Sequence, residues 1–321
     1  MDNDIKVSVI VITYNHEKFI KQALDSILMQ KVDFKYEILI GDDASTDSTP
    51  EILKEYKKLY PEIINLKLNS INLGPTRNAY NLLISAKGKY LASCEGDDYW
   101  SDKYKLRDQI NFLERNKEFI GCCHKFNIVN EKGNICKGYK INWVNFKTVF
   151  DIYDFDGIKL PSHVSTFVRK NIFLDKKKDY TILYKSNRMI SDRVLYFLYL
   201  TEGKIFTLNK VMSCYRLHNL SKDNITIKYF KFNDNKILEE LKILLDMEIY
   251  YKKTQNKKIF FDKRKGELFI DAILSFFLKR NIGYIFVAGK IYKETNDKFQ
   301  LIIFSPYRIL IKLIRLIKRS L

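Results

Sequence analysis

The sequence predicts an α/β protein built on a doubly wound, mostly parallel, Rossmann-like sheet, followed by a C-terminal helical extension. The stretch Val7–Tyr14 (VSVIVITY) is apolar almost throughout and rich in β-branched residues, which is typical of a strand buried on both faces of a parallel sheet. Strand and helix patterns then alternate as far as residue 116, which predicts a parallel sheet covered by its crossover helices. From Tyr229 onwards, helical periodicity with almost no Gly or Pro indicates a separate α-helical region.

The elements of the alternating region follow from apolar periodicity and from residues that start helices or break the chain. Apolar residues at helical spacing follow the turn at Asn15 and His16, and Pro50 stands near the start of the next helix. Gly74 and Pro75 break the chain before a third helix. The predicted strands are 36–41, 64–68 and 89–94, and the predicted helices are 20–28, 52–60 and 77–86.

The next part of the chain is less regular. Residues 131–162 mix Gly, Asn, Asp and aromatic residues without a period, which is typical of a loop or lid that faces a substrate. We place a domain boundary near residue 222, so that an α/β domain (1–222) precedes a basic helical region (223–321). The remaining predicted elements are strands 119–129, 163–169 and 204–215 and a helix at 189–200.

Bulk composition narrows the class of partner. Among 321 residues, 56 Lys and Arg face 38 Asp and Glu, and the formal net charge of +18 favours nucleic acid, an acidic membrane surface or phosphorylated substrates. The sequence shows no recognition helix, zinc finger or RNA-binding sheet motif, so we expect no nucleic-acid partner.

The five cysteines form no CxxC pair, and we recognise no leader peptide and no apolar run of about 20 residues, so we expect a cytoplasmic protein.

Three carboxylates crowd the end of the predicted strand 89–94. Glu95, Asp97 and Asp98 lie within four residues, where their negative charges repel one another. An oxygen-only ligand set suits a hard divalent cation such as Mg²⁺ or Mn²⁺, and open α/β sheets bind ligands at this end of their strands. The alternative is an acidic turn that caps the helix beginning near Asp102.

Polar residues also end the first two strands, and the ends of parallel strands meet at one edge of a sheet. They are Thr13, Tyr14, Asn15, Asp42 and Asp43. A carboxylate at this edge can accept a hydrogen bond from the imide N–H of a uracil or thymine ring. Arg77 can reach phosphate oxygens with its charged guanidinium group. The alternatives are a turn in which Asp42 and Asp43 cap the next helix, and a solvated helix position for Arg77.

These motifs, in this order and spacing, resemble the family 2 inverting glycosyltransferases with the GT-A fold. The resemblance is carried by VSVIVITYNHEKF, YEILIGDDASTDST and NLGPTRNAYNLLISAKGKYLASCEGDDYW, and it extends over residues 5–220. It implies a nucleotide-sugar part (about 1–118) and an acceptor part (about 119–222). It also implies transfer from a nucleotide-diphosphate sugar, for which we expect a UDP-sugar, to a glycan or lipid-linked glycan acceptor of a bacterial capsule or lipopolysaccharide.

The resemblance assigns nucleotide-binding roles to residues at matching positions. Asp43, together with Asp42, matches the acid that recognises the uracil base, and Arg77 matches a basic residue near the diphosphate. Ala44 stands where Gly is common in the family, a departure that blurs the role of the acid pair. The segment that contacts the nucleotide first is matched by Thr13, Tyr14 and Asn15.

The resemblance also implies a metal site. Glu95, Asp97 and Asp98 cover the family's Asp-x-Asp motif, with Asp98 or Asp97 in direct contact with Mn²⁺ or Mg²⁺ and Glu95 in place of the usual first Asp. His218, in CYRLHNLSKD, lies in another family-like segment, where it could approach the diphosphate or its cation or have a structural role. His163 could line the acceptor pocket or be a polar core residue.

The catalytic base that the resemblance implies is Asp192, in RMISDRVLYFLYL. As a base, Asp192 would take the proton of the acceptor hydroxyl while that oxygen attacks the anomeric carbon, and one displacement inverts this centre. Asp192 also precedes apolar residues at helical spacing, so the alternative role is a helix cap.

Two other functions fit parts of the pattern. A sugar-nucleotide nucleotidyltransferase would need a Gly-rich phosphate loop after the first strand, and TYNHEKF lacks one. A non-catalytic nucleotide-sugar-binding module recruited to the membrane would keep the same fold.

Processive synthases of the wider family carry an Arg-Trp motif after the base, but Trp100 and Trp143 both precede Asp192, so we expect single transfers.

The end of the chain predicts a basic amphipathic helix over residues 305–321, starting at Ser305 and Pro306. Its apolar residues share one face, and Arg and Lys share the other, which suits an anionic membrane surface. We therefore expect a peripheral protein on the inner face of the cell membrane. The alternative is a helix that packs its apolar stripe on the body of the protein.

Overall fold

The computed structural model describes residues 5–139, 141–189, 192–218 and 235–303. The chain divides into two compact units, one of residues 1–155 with 159–224 and the other of residues 156–158 with 225–321. The predicted boundary near residue 222 and the predicted helix 305–321 both lie outside the described residues, and both remain predictions.

The first unit is organised around one mixed sheet. Its strands are β1 (Val7–Thr13), β2 (Tyr36–Asp42), β3 (Ile64–Leu68), β4 (Tyr90–Ser93), β5 (Tyr99–Trp100), β6 (Phe119–Val129), β7 (Val149–Phe150), β8 (Val168–Lys170) and β9 (Lys204–Arg216). They follow the order β3-β2-β1-β4-β8-β6-β9-β5, and β7 also pairs with β9. The pairs β2–β3, β1–β2, β1–β4 and β6–β9 are parallel, whereas β8, β5 and β7 run antiparallel to their neighbours. This arrangement confirms the predicted α/β class.

Helices cover this sheet. They are α1 (Ile20–Leu28), α2 (Thr49–Leu59), α3 (Pro75–Leu83), α4 (Lys105–Arg115), α5 (Ile152–Phe155), α6 (Ile182–Lys185) and α7 (Asp192–Leu200), with 3₁₀ helices at Val164–Thr166 and Ile172–Leu174. Proline opens both α2 and α3, where its fixed φ suits the first turn and its missing N–H has no cost. The apolar stripe of α1 is buried in the same core as β1, whose residues other than Ile12 are all buried.

The predicted strand 163–169 forms only in part, because β8 begins at Val168. His163 starts a 3₁₀ helix instead: its Nδ1 accepts from the backbone N–H of Ser165 at 3.3 Å, and its carbonyl accepts from that of Thr166 at 3.0 Å. Local hydrogen bonds of this kind compete with strand pairing, and an alternating apolar pattern does not reveal them.

The second unit is α-helical in its described residues. Its helices are α8 (Lys236–Gln255), α9 (Asp262–Lys279), α10 (Gly283–Glu294) and α11 (Phe299–Ile303). Lys265 is fully buried and joins three of them, since its Nζ lies 2.8 Å from both Glu248 Oε2 and the carbonyl oxygen of Glu294. Among the described residues, no helix is both long enough and apolar enough to cross a membrane.

Lys105 places a cation inside the core of the first unit. Its side chain is fully buried, its Nζ has no hydrogen-bond partner in the described part of the chain, and it lies 4.1 Å from the centroid of the Trp100 ring. Burial lowers the pKa of Lys105 to about 7 from the usual 10.5. The attraction of the indole face offsets only part of the desolvation of an ammonium group.

We expect Lys105→Met to stabilise the protein most at about pH 7, and by less as the pH rises towards 10. Between these values the unfolded chain binds more protons than the native state, so this lysine makes the wild-type unfolding free energy rise by up to about 1.4 kcal/mol per pH unit. Denaturant unfolding of both proteins at several pH values measures the difference. Lys103→Met, at an exposed position two residues away, is the control and should show no such trend. Equal stability differences at all pH values would contradict the prediction.

Candidate functional site

The polar ends of β1, β2 and β4 lie side by side at one edge of the sheet. Thr13 is in register with Asp42, and the backbone N–H of Asp43 donates to the Thr13 carbonyl at 3.0 Å. On the other side of β1, the N–H of Gly96 donates to the carbonyl of Ile12 at 3.0 Å. The three polar clusters recognised in the sequence are therefore neighbours.

Asn15 and Asp42 hold the loop that follows β2. The backbone N–H of Asn15 donates to Ser45 Oγ at 2.9 Å, and Asn15 Oδ1 accepts from the N–H of Thr46 at 2.8 Å. Ser45 donates to both carboxylate oxygens of Asp42, through Oγ at 2.5 Å and through its N–H at 3.0 Å. Tyr14, which is half-buried, leads into Asn15, whose φ of 55° is in the left-handed region that Asn tolerates.

Asp43 braces the turn that leads into α3. Its carboxylate, in a side chain only 3% exposed, accepts the backbone N–H groups of Leu73 at 2.9 Å and Gly74 at 2.8 Å. The sequence suggested only base recognition or helix capping for Asp43, and this bracing role was missed. Asn69 Nδ2 also donates to Oδ1 at 3.2 Å, whereas Oδ2 can still accept a further hydrogen bond, so bracing and base recognition are compatible.

Arg77 lies in the first turn of α3 and stacks on aromatic rings. Its Cζ is 3.9 Å from the ring centroid of Tyr184 and 5.7 Å from that of Tyr80. The guanidinium is half-buried, which differs from the solvated position considered as the alternative. Stacking orients the planar group while leaving its N–H edges able to meet an anion.

Asp97 is the most strongly ionised carboxylate of the acidic cluster. Its Oδ2 lies 2.8 Å from His218 Nε2 and 3.8 Å from His16 Nε2. Burial opposes ionisation, but the two imidazoles outweigh it and hold the pKa of Asp97 well below its usual value. The hydrogen bond to Asp97 in turn raises the pKa of His218.

Asp98 is only 1% exposed and is held from β9. Its Oδ1 accepts the backbone N–H of Arg216 at 2.9 Å, whereas its Oδ2 makes no hydrogen bond within the described residues. Burial and then the charge of Asp97 raise the pKa of Asp98 well above its usual value. Such a carboxylate is costly to ionise unless a cation or another donor reaches its second oxygen.

His163 completes a group that can hold a metal ion. One donor atom from each of Glu95, Asp98 and His163 lies within 4.8 Å of the other two. The ring of His163 lies between the two carboxylates, with Nδ1 3.4 Å from Asp98 Oδ2 and Nε2 3.5 Å from Glu95 Oε2. Burial lowers the pKa of His163 to about 4, which leaves the ring neutral.

This group fits a divalent cation, because two carboxylates and a neutral imidazole match Mn²⁺ and, less closely, the harder Mg²⁺. The unpartnered oxygen of Asp98 supports the same interpretation. The set predicted from the sequence was Asp98, Asp97 and His218. In the structure, Asp97 and His218 are hydrogen-bonded to each other, and His163 lies beside Asp98 instead.

Asp192 lies at the start of α7, close to the acidic cluster. It lines a cavity of about 30 Å³ with Glu95, and with Ser93 and Arg169 from β4 and β8. Partial burial and then the charge of Asp192 raise the pKa of Glu95 well above its usual value. The structure therefore brings the predicted base to the same rim as the predicted metal motif.

The sequence reasoning missed two arginines. Arg216 encloses the acidic turn: its N–H binds Asp98, its Nε donates to the carbonyl of Asp97 at 2.8 Å, and its guanidinium reaches Gln22 Oε1 at 2.6 Å. Arg169 is 1% exposed and donates to Ser93 Oγ at 3.0 Å inside the cavity. Arg216 lies two residues before the predicted site residue His218, and this closeness was the one feature of the sequence that could have pointed to it. No feature of the sequence pointed to Arg169.

The family model for glycosyl transferase family 2 matches residues 8–176, which include β1 to β8 and most of the site. The chain belongs to glycosyl transferase family 2. Among its relatives in this family is an uncharacterized protein of Mycobacterium tuberculosis, 32% identical over 213 residues, which are 66% of this chain and 59% of that protein. The match therefore spans about three-fifths of the mycobacterial protein.

TarS of Staphylococcus aureus, a poly(ribitol-phosphate) beta-N-acetylglucosaminyltransferase, is 37% identical over 116 residues, which are 35% of this chain and 19% of TarS. The crystal structure of TarS residues 1–349 with UDP-GlcNAc has a TM-score of 0.64 at 18% identity, over 91% of this chain and 82% of that one. GalNAc-T7 with UDP, GalNAc and Mn²⁺ has a TM-score of 0.50 at 14% identity, over 68% and 45%. These likenesses confirm the GT-A fold.

We expect Asp43→Asn to destabilise the first unit by about 1–3 kcal/mol, because an amide nitrogen cannot accept a hydrogen bond from Leu73 or Gly74. Denaturant unfolding measures the change, and Asp33→Asn, at an exposed carboxylate, should stay within about 0.5 kcal/mol of wild type. An Asp43→Asn protein as stable as wild type would show that the carboxylate does not brace the turn.

Proposed function

We propose that this chain is a metal-assisted inverting glycosyltransferase that moves a sugar from a nucleotide-diphosphate donor to a glycan or lipid-linked glycan. The observation that supports it most is the convergence of Glu95 and Asp98, at the end of β4, with Asp192, at the start of α7. Family membership supports the reaction class, because the acidic motif lies within the matched residues 8–176.

The proposed donor is a UDP-sugar, held at the edge where β1 and β2 end. Asp42 and Asp43 are the proposed base-recognising acids, and Thr13, Tyr14 and Asn15 the first nucleotide-contacting segment. Arg77 is the proposed contact of the diphosphate, and its stacked guanidinium supports this role because its orientation is already restricted. The complex of TarS with UDP-GlcNAc supports the choice of a UDP-linked donor.

The proposed metal ligands are Asp98, Glu95 and His163, with Asp97 and His218 next to them. When bound, Mn²⁺ or Mg²⁺ supplies Lewis-acid stabilisation of the charge that develops on the departing diphosphate. Asp97 and His218 hold each other in place, and the imidazolium that this pair favours presents a second positive group to the phosphates.

Asp192 is the proposed general base. It takes the proton of the acceptor hydroxyl while the bond from that oxygen to the anomeric carbon forms, and the bond to the phosphate oxygen breaks on the opposite face. The result is an inverted anomeric centre, a protonated Asp192 and a free nucleoside diphosphate. No enzyme nucleophile is required.

The proposed setting is synthesis of a bacterial surface polysaccharide, such as capsule or lipopolysaccharide. TarS, by its name, transfers N-acetylglucosamine to poly(ribitol phosphate), which supports a hexosyl or N-acetylhexosaminyl transfer to a polymeric acceptor. A peripheral position on the inner face of the cell membrane would bring the enzyme to a lipid-linked glycan.

We expect Asp192→Asn to lower the rate of sugar transfer by about 10²–10⁴-fold, because a carboxamide cannot take the acceptor proton. Asn caps helices as well as Asp does, so a merely capping Asp192 would leave both stability and activity near wild type. The measurements are the transfer rate, the melting temperature, and the stabilisation by a UDP-sugar with Mn²⁺, which should persist. Asp33→Asn is the matched control. Transfer at a near wild-type rate would show that the base lies elsewhere.

We expect removal of divalent cations to stop both sugar transfer and the slow hydrolysis of a UDP-sugar, and added Mn²⁺ or Mg²⁺ to restore them. Asp98→Asn should also lose the increase in melting temperature that Mn²⁺ and a UDP-sugar give to wild type, whereas Asp33→Asn should keep it. Full transfer in excess chelator would contradict a role for the cation.

A further inference from the structure

The turn between α9 and α10 exposes a cluster of large apolar side chains. We call residues 277–286 the hairpin tip, since α9 ends at Lys279 and α10 starts at Gly283. Phe277 is 68% exposed, Ile282 63% and Phe286 73%. Leu278 and Ile285 extend the same patch. Exposed apolar residues are ordinary when isolated, but a contiguous group of this kind marks a surface that meets an apolar partner.

The charges around the hairpin tip have one sign. Residues 272–293 contain no Asp or Glu, and their four basic residues are all exposed. They are Lys279, Arg280, Lys290 and Lys293. Ile282, which precedes α10, and Ile285 and Phe286 on it share one face at helical spacing. Lys290 and Lys293 continue that face towards the end of the helix.

Arg280 keeps its charge at the turn at a conformational cost. Its φ of 49° is in the left-handed region, at the position after the helix where glycine is usual. An L-residue is less stable there than glycine, because its Cβ approaches the neighbouring carbonyl. Replacing Arg280 with Gly would therefore remove the charge without straining the turn.

We propose that the hairpin tip docks on an anionic phospholipid surface, with Phe277, Ile282 and Phe286 entering the interfacial region and Arg280 and the lysines meeting the headgroups. Amphipathic segments with aromatic and aliphatic residues on one side and basic residues beside them bind such surfaces. A protein interface would be expected to be poor in lysine at its core and to offer hydrogen-bonding groups. The inference deepens the proposed function, because it rests on the proposed peripheral position at the membrane and names the surface that would supply it. No step of sugar transfer depends on the hairpin tip, so vesicle binding and sugar transfer can fail independently.

Vesicle co-sedimentation of the full chain tests the proposal. Wild type should bind vesicles of phosphatidylglycerol and phosphatidylcholine, and bind phosphatidylcholine alone much more weakly. The double variant Phe277→Glu, Phe286→Glu should lower the partition coefficient roughly tenfold or more, and Arg280→Gly about fivefold. Circular dichroism and thermal unfolding check that the variants are folded.

Ile249→Glu is the matched control, since Ile249 is 66% exposed in the same unit. Its neighbour Glu248 accepts a hydrogen bond from the backbone N–H of Phe261 at 2.8 Å and forms an ion pair with Lys265. Ile249 therefore lies near the start of α9, roughly 18 Å along that helix from Phe277. This variant should bind vesicles as wild type does. Binding that is absent in wild type, or undiminished in the hairpin-tip variants, would overturn the proposal.

Quenching of tryptophan fluorescence by lipid detects docking directly, without a variant that has lost binding. Phe286→Trp places an indole at the tip, and brominated lipids in anionic vesicles should quench its fluorescence, while Ile249→Trp should show no added quenching. Both variants share the background of Trp100 and Trp143. Equal quenching at the two positions would contradict docking through the tip. Light scattering without lipid gives the last check, because self-association lost in the double variant would assign the patch to a second copy of the chain instead.

Discussion

Crowding of negative charge at the end of β4 is the constraint on which the site depends. Asp98 is buried, Glu95 and Asp97 are partly buried, and Asp192 adds a fourth carboxylate from α7. Carboxylates in these surroundings are stable only when hydrogen-bond donors or cations face them. The fold supplies donors from distant segments: a backbone N–H of β9 for Asp98 and two imidazoles for Asp97.

The loops around this charge are held by side chains that also carry the proposed chemistry. Asp42 binds Ser45, Asn15 binds Thr46, and Asp43 holds the turn in front of α3. A loop fixed in this way loses little conformational entropy when a ligand arrives, which is the general advantage of a preorganised site. It also means that substitutions at these positions alter stability and binding together, so activity alone does not separate the two roles.

The excess of positive charge lies in a different part of the chain from the acidic site. The acidic residues of the site gather at one sheet edge of the first unit, whereas residues 272–293 of the second unit carry only basic charge beside large exposed apolar side chains. A protein that handles a charged, soluble donor and a lipid-linked acceptor would need both kinds of surface. Each is built by local sequence, one by a strand end and the other by a helix turn.

Much of the fold was predictable from the sequence. The β-branched run of β1, the helical stripe of α1 and the prolines of α2 and α3 are local patterns, and each formed the expected element. The acidic motif and the membership of the family could be recognised because they are also continuous stretches of chain. The strand expected at 163–169 was shortened by hydrogen bonds of His163 that an apolar alternation does not encode.

Only the tertiary structure could decide which side chains face one another. His163 stands next to Asp98, and His218 next to Asp97, because β8 pairs with β4 before the acidic turn and β9 pairs with β5 after it. These contacts join residues 65 and 121 positions apart in the chain. Arg169 reaches the site through β8 and Arg216 through β9, and single residues separated in this way leave no periodic signal. The sequence by itself therefore determined the class of fold and the position of the charge. The packing of antiparallel strands determined which side chains face that charge, because the distance between two hydrogen-bonding groups depends on strand register and not on spacing along the chain.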